Sequence, residues 1–201
     1  MHALRGESLR ALRDRAQIVF QDPFASLDPV MTVAEIVAEP VRALRPTMSA
    51  AARAESVARA LESVGLDATY LTRRSRELSG GQNQRVAIAR AMVIEPQLLV
   101  CDEAVSALDV SVQAQVLALL ASFKRDRGTS IVFVSHNLAV VRRLCDRVLV
   151  MYQGKVVEEG VAAEVFAAPR HPYTRLLLDS VPRLDPAAER ARLATHSTDL
   201  V

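Results

Sequence analysis

Two short apolar runs lead into side chains that can do chemistry. Leu98–Cys101 ends in Asp102 and Glu103, and Ile131–Val134 ends in Ser135 and His136. Open parallel sheets gather ligands at the carboxyl ends of their strands, so both pairs fall where a reacting group would lie. An acid at such a place can hold a magnesium ion, often through water, and a second carboxylate can polarise an attacking water. The plainer alternative is an acid pair at a helix start, satisfying backbone N–H groups. His136 can sense or stabilise charge on a phosphate. A lone histidine can equally be structural, so its weight comes from sharing a sheet edge with the two carboxylates.

A third stretch, Leu78-Ser79-Gly80-Gly81-Gln82, precedes a helical pattern through Arg85, Val86, Ala89, Arg90 and Val93. Ser79 and Gln82 have the spacing of a capping box. Two glycines in the first turn of a helix cost it about 1 kcal/mol each relative to alanine. What they offer in return is close approach of a ligand to N–H groups at the positive helix end. That is an anion site, and a phosphate suits it.

The elements that must position these residues change character along the chain. Residues 4–15 read as a short basic helix and Gln17–Phe20 as a strand. Turn signals follow at Asp22-Pro23, Ser26 and Asp28-Pro29. Thr32 and Glu35 form a capping box for a helix that Pro40 or Pro46 should end. A helix from Ser49 to Val64 stops at Gly65, so residues 32–95 read as almost wholly helical. From Leu98 on the order is strand, helix (about Ser111–Arg125), buried strand Ile131–Val134, helix (about Leu138–Cys145), strand Val148–Tyr152. This alternation is the mark of a doubly wound parallel sheet. Gln153-Gly154 turns the chain into Lys155–Glu158 as a hairpin. Helical pattern resumes after Gly160, broken at His171-Pro172, before a polar end.

Composition excludes several classes. Half of the 201 residues are apolar and a quarter charged, with a formal charge of +2, which argues against general disorder and against a nucleic-acid groove. No apolar run approaches the roughly 20 residues of a membrane-spanning helix. The Arg-rich start lacks the apolar core of a secretion signal. Cys101 and Cys145 cannot build a disulfide framework, a metal cluster or an iron–sulfur site. These features point to the cytosol.

In this order and spacing the motifs resemble the ATP-binding subunits of ABC transporters, from Leu9 to Pro186. Leu78–Gln82 resembles the signature sequence, and Leu98–Asp102 the Walker B strand with Glu103 as catalytic base. Ser106-Ala107-Leu108-Asp109 resembles the D-loop, His136 the switch histidine and Gln21 the Q-loop glutamine. Phe20-Gln21-Asp22-Pro23, running on to Ser26-Leu27-Asp28-Pro29, resembles importers of the oligopeptide, dipeptide and nickel group. So does His171-Pro172-Tyr173-Thr174-Arg175 with Ser180-Val181-Pro182.

The resemblance implies an α/β fold of the P-loop NTPase type, a parallel sheet carrying an inserted helical subdomain. Its parts would be a partial ATPase core (1–31 and 96–160), a helical signature subdomain (32–95) and an importer-type extension (161–201). ATP and Mg²⁺ are the implied cofactors. Glu103, His136 and Gln21 would serve catalysis, Asp102 and Gln21 the metal, and Ser79, Gly80, Gly81, Gln82 and Asp109 the nucleotide. Two such subunits pair head to tail, as homo- or heterodimer, each signature completing the other's site. The further partners are transmembrane permease subunits, met by the helical block 32–95 through the Asp-Pro-rich segment 24–31 that leads to it, and indirectly a solute-binding protein. The plainer alternative is that Phe24, Leu27, Val30 and Met31 only pack that block onto the sheet. The protein would lie on the inner face of the membrane and bind no nucleic acid.

Three departures qualify that picture. No glycine-rich loop ending in Gly-Lys-Ser/Thr stands among these residues, so this chain alone is expected to bind and hydrolyse ATP poorly. Its resemblance starts partway into the ATPase domain, leaving sheet edge and apolar surface uncovered. Ala104-Val105 replaces the usual Pro-Thr, which is expected to loosen the base, and Asn83 replaces a basic residue or glutamine, a change expected to be minor. Two other readings stay open: a non-hydrolysing module that completes a partner's ATP site, and a soluble ABC ATPase outside transport. The tail and the Asp-Pro-rich segment weigh against the latter.

Overall fold

The computed structural model describes residues 5–106 and 108–180. Ala107 of the D-loop, Val181, Pro182 and the rest of the extension lie outside the described residues. The chain divides into two compact units, one through His136 and one from Asn137.

In the first unit α1 (Gly6–Arg15) leads into β1 (Ala16–Val19), the short α2 (Pro23–Ser26), and three helices, α3 (Val33–Leu44), α4 (Ala50–Ser63) and α5 (Gly80–Met92). Then come β2 (Leu98–Asp102), α6 (Val110–Arg127) and β3 (Ser130–Val134). The strands form one parallel sheet in the order β1-β2-β3, with Val19, Cys101 and Phe133 in register. Paired residues share a face. On one face Val19, Leu99 and Cys101 are fully buried; on the other, Ile18, Val132 and Val134 are 40–49% exposed. Ile131–Val134, read from sequence as a buried strand, is therefore half-buried on one face and exposed on the other. No described element covers the face carrying Val132 and Val134.

The helical block forms for local reasons. Thr32 Oγ1 accepts from the Glu35 N–H, and Glu35 Oε2 accepts from the Thr32 N–H at 2.7 Å, closing the capping box of α3. Of the two prolines that could end it, α3 runs through Pro40 and ends before Pro46. Buried Val33, Ile36, Val37 and Val41 lie on both sides of the proline and hold the helix by packing. Ser49 caps α4, and Gly65, at φ +74°, supplies the left-handed residue that stops it. Arg45 closes the block onto the sheet side, donating to Asp14 and to the Ile94 carbonyl at 2.7 Å.

The second unit holds α7 (Leu138–Leu144), β4 (Arg147–Tyr152), β5 (Lys155–Val161), α8 (Ala162–Ala167) and α9 (Pro172–Asp179). Among the described residues β4 pairs only with β5, in an antiparallel ribbon, rather than serving as a further strand of the parallel sheet. Gln153 and Gly154, at φ +48° and +76°, make the two-residue turn whose twist favours that local pairing. Val148, Ala162 and Val165 form its core. His171 Nδ1 accepts from the Tyr173 N–H and caps α9, with Pro172 in the first helical position. The Glu158 carboxylate accepts the N–H groups of Arg170 and His171 at 2.8 and 3.0 Å. Its pKa is lowered to about 2 by the Thr174 hydroxyl, which faces it outside strict hydrogen-bond geometry, and by those two N–H groups. No helix among the described residues is long and apolar enough to cross a membrane.

Candidate functional site

Parallel strands end on one edge of their sheet, and three polar side chains meet there. Gln21 follows β1, Glu103 follows β2 and His136 follows β3. Gln21 Nε2 donates to Glu103 Oε2 at 2.7 Å, and His136 Nδ1 lies 3.0 Å from Glu103 Oε1. A carboxylate only accepts, which assigns the shared proton to Nδ1 of the histidine. Both oxygens of Glu103 are thus engaged, one by an amide and one by an imidazole. Glu103 is only 26% exposed at its side chain, whereas His136 is 74% exposed.

The backbone is bent to make this possible. Glu103 sits at φ +46°, a left-handed conformation costing a non-glycine residue on the order of 1–3 kcal/mol. The Glu103 N–H donates to the Val134 carbonyl, and the Ser106 N–H and hydroxyl both donate to the Glu103 carbonyl at 3.0 Å. Ala104 and Val105 are buried beneath this turn. Asp102 ends β2 beside Val134, exposed to solvent.

The N-terminus of α5 is a separate locus. Ser79 caps the helix, its oxygen accepting from the Gln82 N–H while Gln82 Oε1 accepts from the Ser79 N–H at 2.9 Å. Gln82 Nε2 donates to the Tyr70 hydroxyl. Gly80 is open, the Phe24 ring standing 4.0 Å from where its β-carbon would be; Gly81 is packed against Val112. Among the described residues no hydrogen bond joins Ser79–Gln82 to Gln21, Glu103 or His136. Asp109 caps α6 with its backbone only, leaving its exposed carboxylate unused by the helix.

Several ties within the helical block were not read from sequence. Asn83 is fully buried, its amide donating to the Ser75 and Leu78 carbonyls. Arg85 bridges the Val64 carbonyl and Gln115. Arg90 donates to the Ser26 carbonyl at 2.6 Å. The available signal was an arginine set between Ala89 and Ala91 in a helix buried on most sides, which demands a buried acceptor. Of the four apolar residues in the turn-rich segment, Leu27 is buried, Met31 is half-buried, and Phe24 and Val30 are 55% and 69% exposed.

Residues 1–106 match the family model of the ABC transporter, and residues 157–200 that of the oligopeptide/dipeptide transporter, C-terminal region. The chain is 50% identical over 187 residues to the oligopeptide transport ATP-binding protein OppF of Escherichia coli, covering 93% of this chain and 56% of that protein. It is 48% identical over 194 residues to the glutathione import ATP-binding protein GsiA of Shigella flexneri, covering 96% of this chain and 31% of that one. The chain thus spans about half the length, or less, of these curated relatives. Among solved structures, the dimeric post-hydrolysis state of the ATP-binding cassette MJ0796, bound to ADP and Pi, superposes with a TM-score of 0.70 at 30% identity. That match covers 80% of this chain and 68% of the cassette.

Proposed function

The chain belongs to the ABC transporter family, and we propose that it is part of the ATP-hydrolysing subunit of a peptide importer. The observation that carries this reading is the Gln21–Glu103–His136 constellation at the carboxyl edge of a parallel sheet. A water held in line with a phosphate needs a base beside it, and Glu103 is the group with that chemistry. His136 and Gln21 fix the carboxylate by one hydrogen bond to each oxygen. Peptide as the transported class is supported by the oligopeptide/dipeptide C-terminal match over residues 157–200.

Among the described residues no three His, Cys, Asp or Glu side chains converge as a metal cage. Mg²⁺ needs none: it keeps several waters and takes one or two carboxylates together with substrate phosphates. The exposed Asp102 and the Gln21 amide fit that requirement. When bound, Mg²⁺ neutralises charge on the phosphates. The free N–H groups and positive dipole end of α5 suit an anion presented by a second, paired subunit, with Ser79, Gly80, Gly81 and Gln82 lining it and Asp109 at its edge. Permease subunits would meet the exposed Phe24 and Val30, with this subunit on the cytoplasmic side of the membrane.

No Gly-Lys-Ser/Thr loop stands among these residues to cradle the β/γ-phosphates, so the chain by itself should bind ATP weakly. Two measurements test the reading. Labelled nucleotide should bind the 201-residue chain poorly, and micromolar affinity would overturn that part. The complete polypeptide assembled with permeases should hydrolyse ATP in a Mg²⁺-dependent manner, stimulated by a peptide-loaded binding protein; absence of hydrolysis would overturn the whole.

A further inference from the structure

The segment between Gln21 and Thr32 carries two Asp-Pro turns, yet it is fastened at two points. The Arg90 guanidinium of α5 donates to the Ser26 carbonyl at 2.6 Å, and the Arg74 guanidinium donates to the Val30 carbonyl at 2.6 Å. Asp22 caps α2 by accepting from the Phe24 and Ala25 N–H groups, and Asp28 accepts from the Val30 N–H. Leu27 is buried, and the Phe24 ring stands over Gly80 at the start of α5. Residues 23–31 therefore belong to the helical block. On the sheet side, Gln21 is held by Glu103. What remains between the two anchorages is Phe20–Asp22.

We propose that Arg90 is a positioning residue that locks α2 to the signature helix α5, so that force on Phe24 reaches the Gln21–Glu103 contact. Arg90 contacts neither Glu103 nor the Ser79–Gln82 stretch; it acts through the Ser26 carbonyl. Its side chain is 18% exposed, with the Glu39 carboxylate at 3.9 Å as counter-charge from α3. One cation thus joins three elements: α2, α3 and α5. With that link, α2 and the start of α5 move as one body, and the joint is confined to Phe20–Asp22. Without it, α2 can shift alone, and a push on Phe24 is dissipated before it reaches Gln21. A guanidinium suits this post because it supplies several donors in a fixed fork.

The inference rests on the proposed ATPase reading for its consequence, but the lock itself can be measured without nucleotide. Hydrogen exchange at the Phe24, Ala25, Ser26 and Leu27 amides reads the attachment of α2 in the full chain. Arg90→Met should raise exchange there by about tenfold while leaving the α5 amides of Ala87 and Ile88 unchanged. Arg90→Lys, which keeps a donor within reach of Ser26, should restore most of the protection. Unchanged exchange in the Met variant, equal loss along α5, or no recovery with Lys would each overturn the lock. In the complete, permease-assembled polypeptide, Arg90→Met should bring the ratio of stimulated to basal ATP hydrolysis close to one, and Arg90→Lys should keep it. An unchanged ratio would overturn the coupling role. If the unsubstituted assembly hydrolyses no ATP, the ATPase reading fails, while the exchange measurement still decides the lock.

Discussion

Gly81 of α5 lies so close to Val112 of α6 that a β-carbon added to it would stand 2.4 Å from Val112 Cγ1. The two glycines of the Ser79–Gln82 stretch thus differ. Gly80 leaves its backbone open, whereas Gly81 is small because another helix passes over it.

Gly81→Ala should therefore destabilise the fold, although alanine is the better helix former. Overpacking costs about 1–3 kcal/mol, against about 1 kcal/mol regained in helix propensity. Val112→Ala in the same chain should relieve the clash. A thermal-melt double-mutant cycle checks this: the two substitutions together should cost less than their sum. Strict additivity would mean that α6 simply moves aside.

Glu103→Gln should preserve nucleotide binding in the complete polypeptide and lower turnover by about 10²–10⁴-fold, the range for removal of a general base. Gln can still accept from the Gln21 amide and, once His136 carries its proton on Nε2, donate its –NH2 to Nδ1, so the geometry can be kept while the basicity is lost. Single-turnover hydrolysis separates the two effects. Unimpaired turnover would move the role of base to His136.

Much of this was legible in the sequence because short-range rules fixed it. The capping boxes at Thr32 and Ser79 and the turn at Gln153-Gly154 depend on residues within a few positions of one another. The shared sheet edge of Glu103 and His136 followed from apolar runs ending in polar residues, while Gln21 was named from the family resemblance alone. What was not legible depends on partners far along the chain. Arg90 and Ser26 are 64 positions apart and Arg74 and Val30 are 44 apart, so no local pattern announces either tie. The choice between Pro40 and Pro46 as the end of α3 was left open for a related reason: buried residues on both sides of Pro40 outweigh the hydrogen bond it removes. The Val148–Tyr152 run reads as a buried parallel strand by composition, and its hairpin partner pairs with it first.

Glu158 makes the attachment of α9 to β5 pH-dependent. Its folded pKa is about 2, below the ordinary value of 4.5. The stabilisation is therefore complete above pH 4.5 and is lost as pH falls through about 2. The Arg170 and His171 amide resonances should move together over that interval, and Glu158→Ala should abolish the transition while raising exchange in α9 at neutral pH. A transition that survives Glu158→Ala would assign the attachment to other groups.

Ser79 separates the two roles open to the start of α5, because a cap and an anion site respond oppositely to negative charge. As a cap, its oxygen satisfies the Gln82 N–H. Ser79→Ala removes that acceptor and should cost about 0.5–2 kcal/mol. Ser79→Asp keeps an acceptor and adds a charge that the helix N-terminus favours by about 0.3–1 kcal/mol. On stability alone, the Asp variant should equal or exceed the native chain and the Ala variant should fall below it. A phosphate brought to the same N–H groups meets the opposite order: Ala leaves most of the site intact, whereas Asp occupies it with a carboxylate and repels the ligand. ATP hydrolysis by the paired, complete polypeptide should accordingly fall more steeply for Asp than for Ala, while melting temperatures rank them the other way. If activity instead follows stability, Asp above Ala, then Ser79 is only a cap and the anion belongs elsewhere.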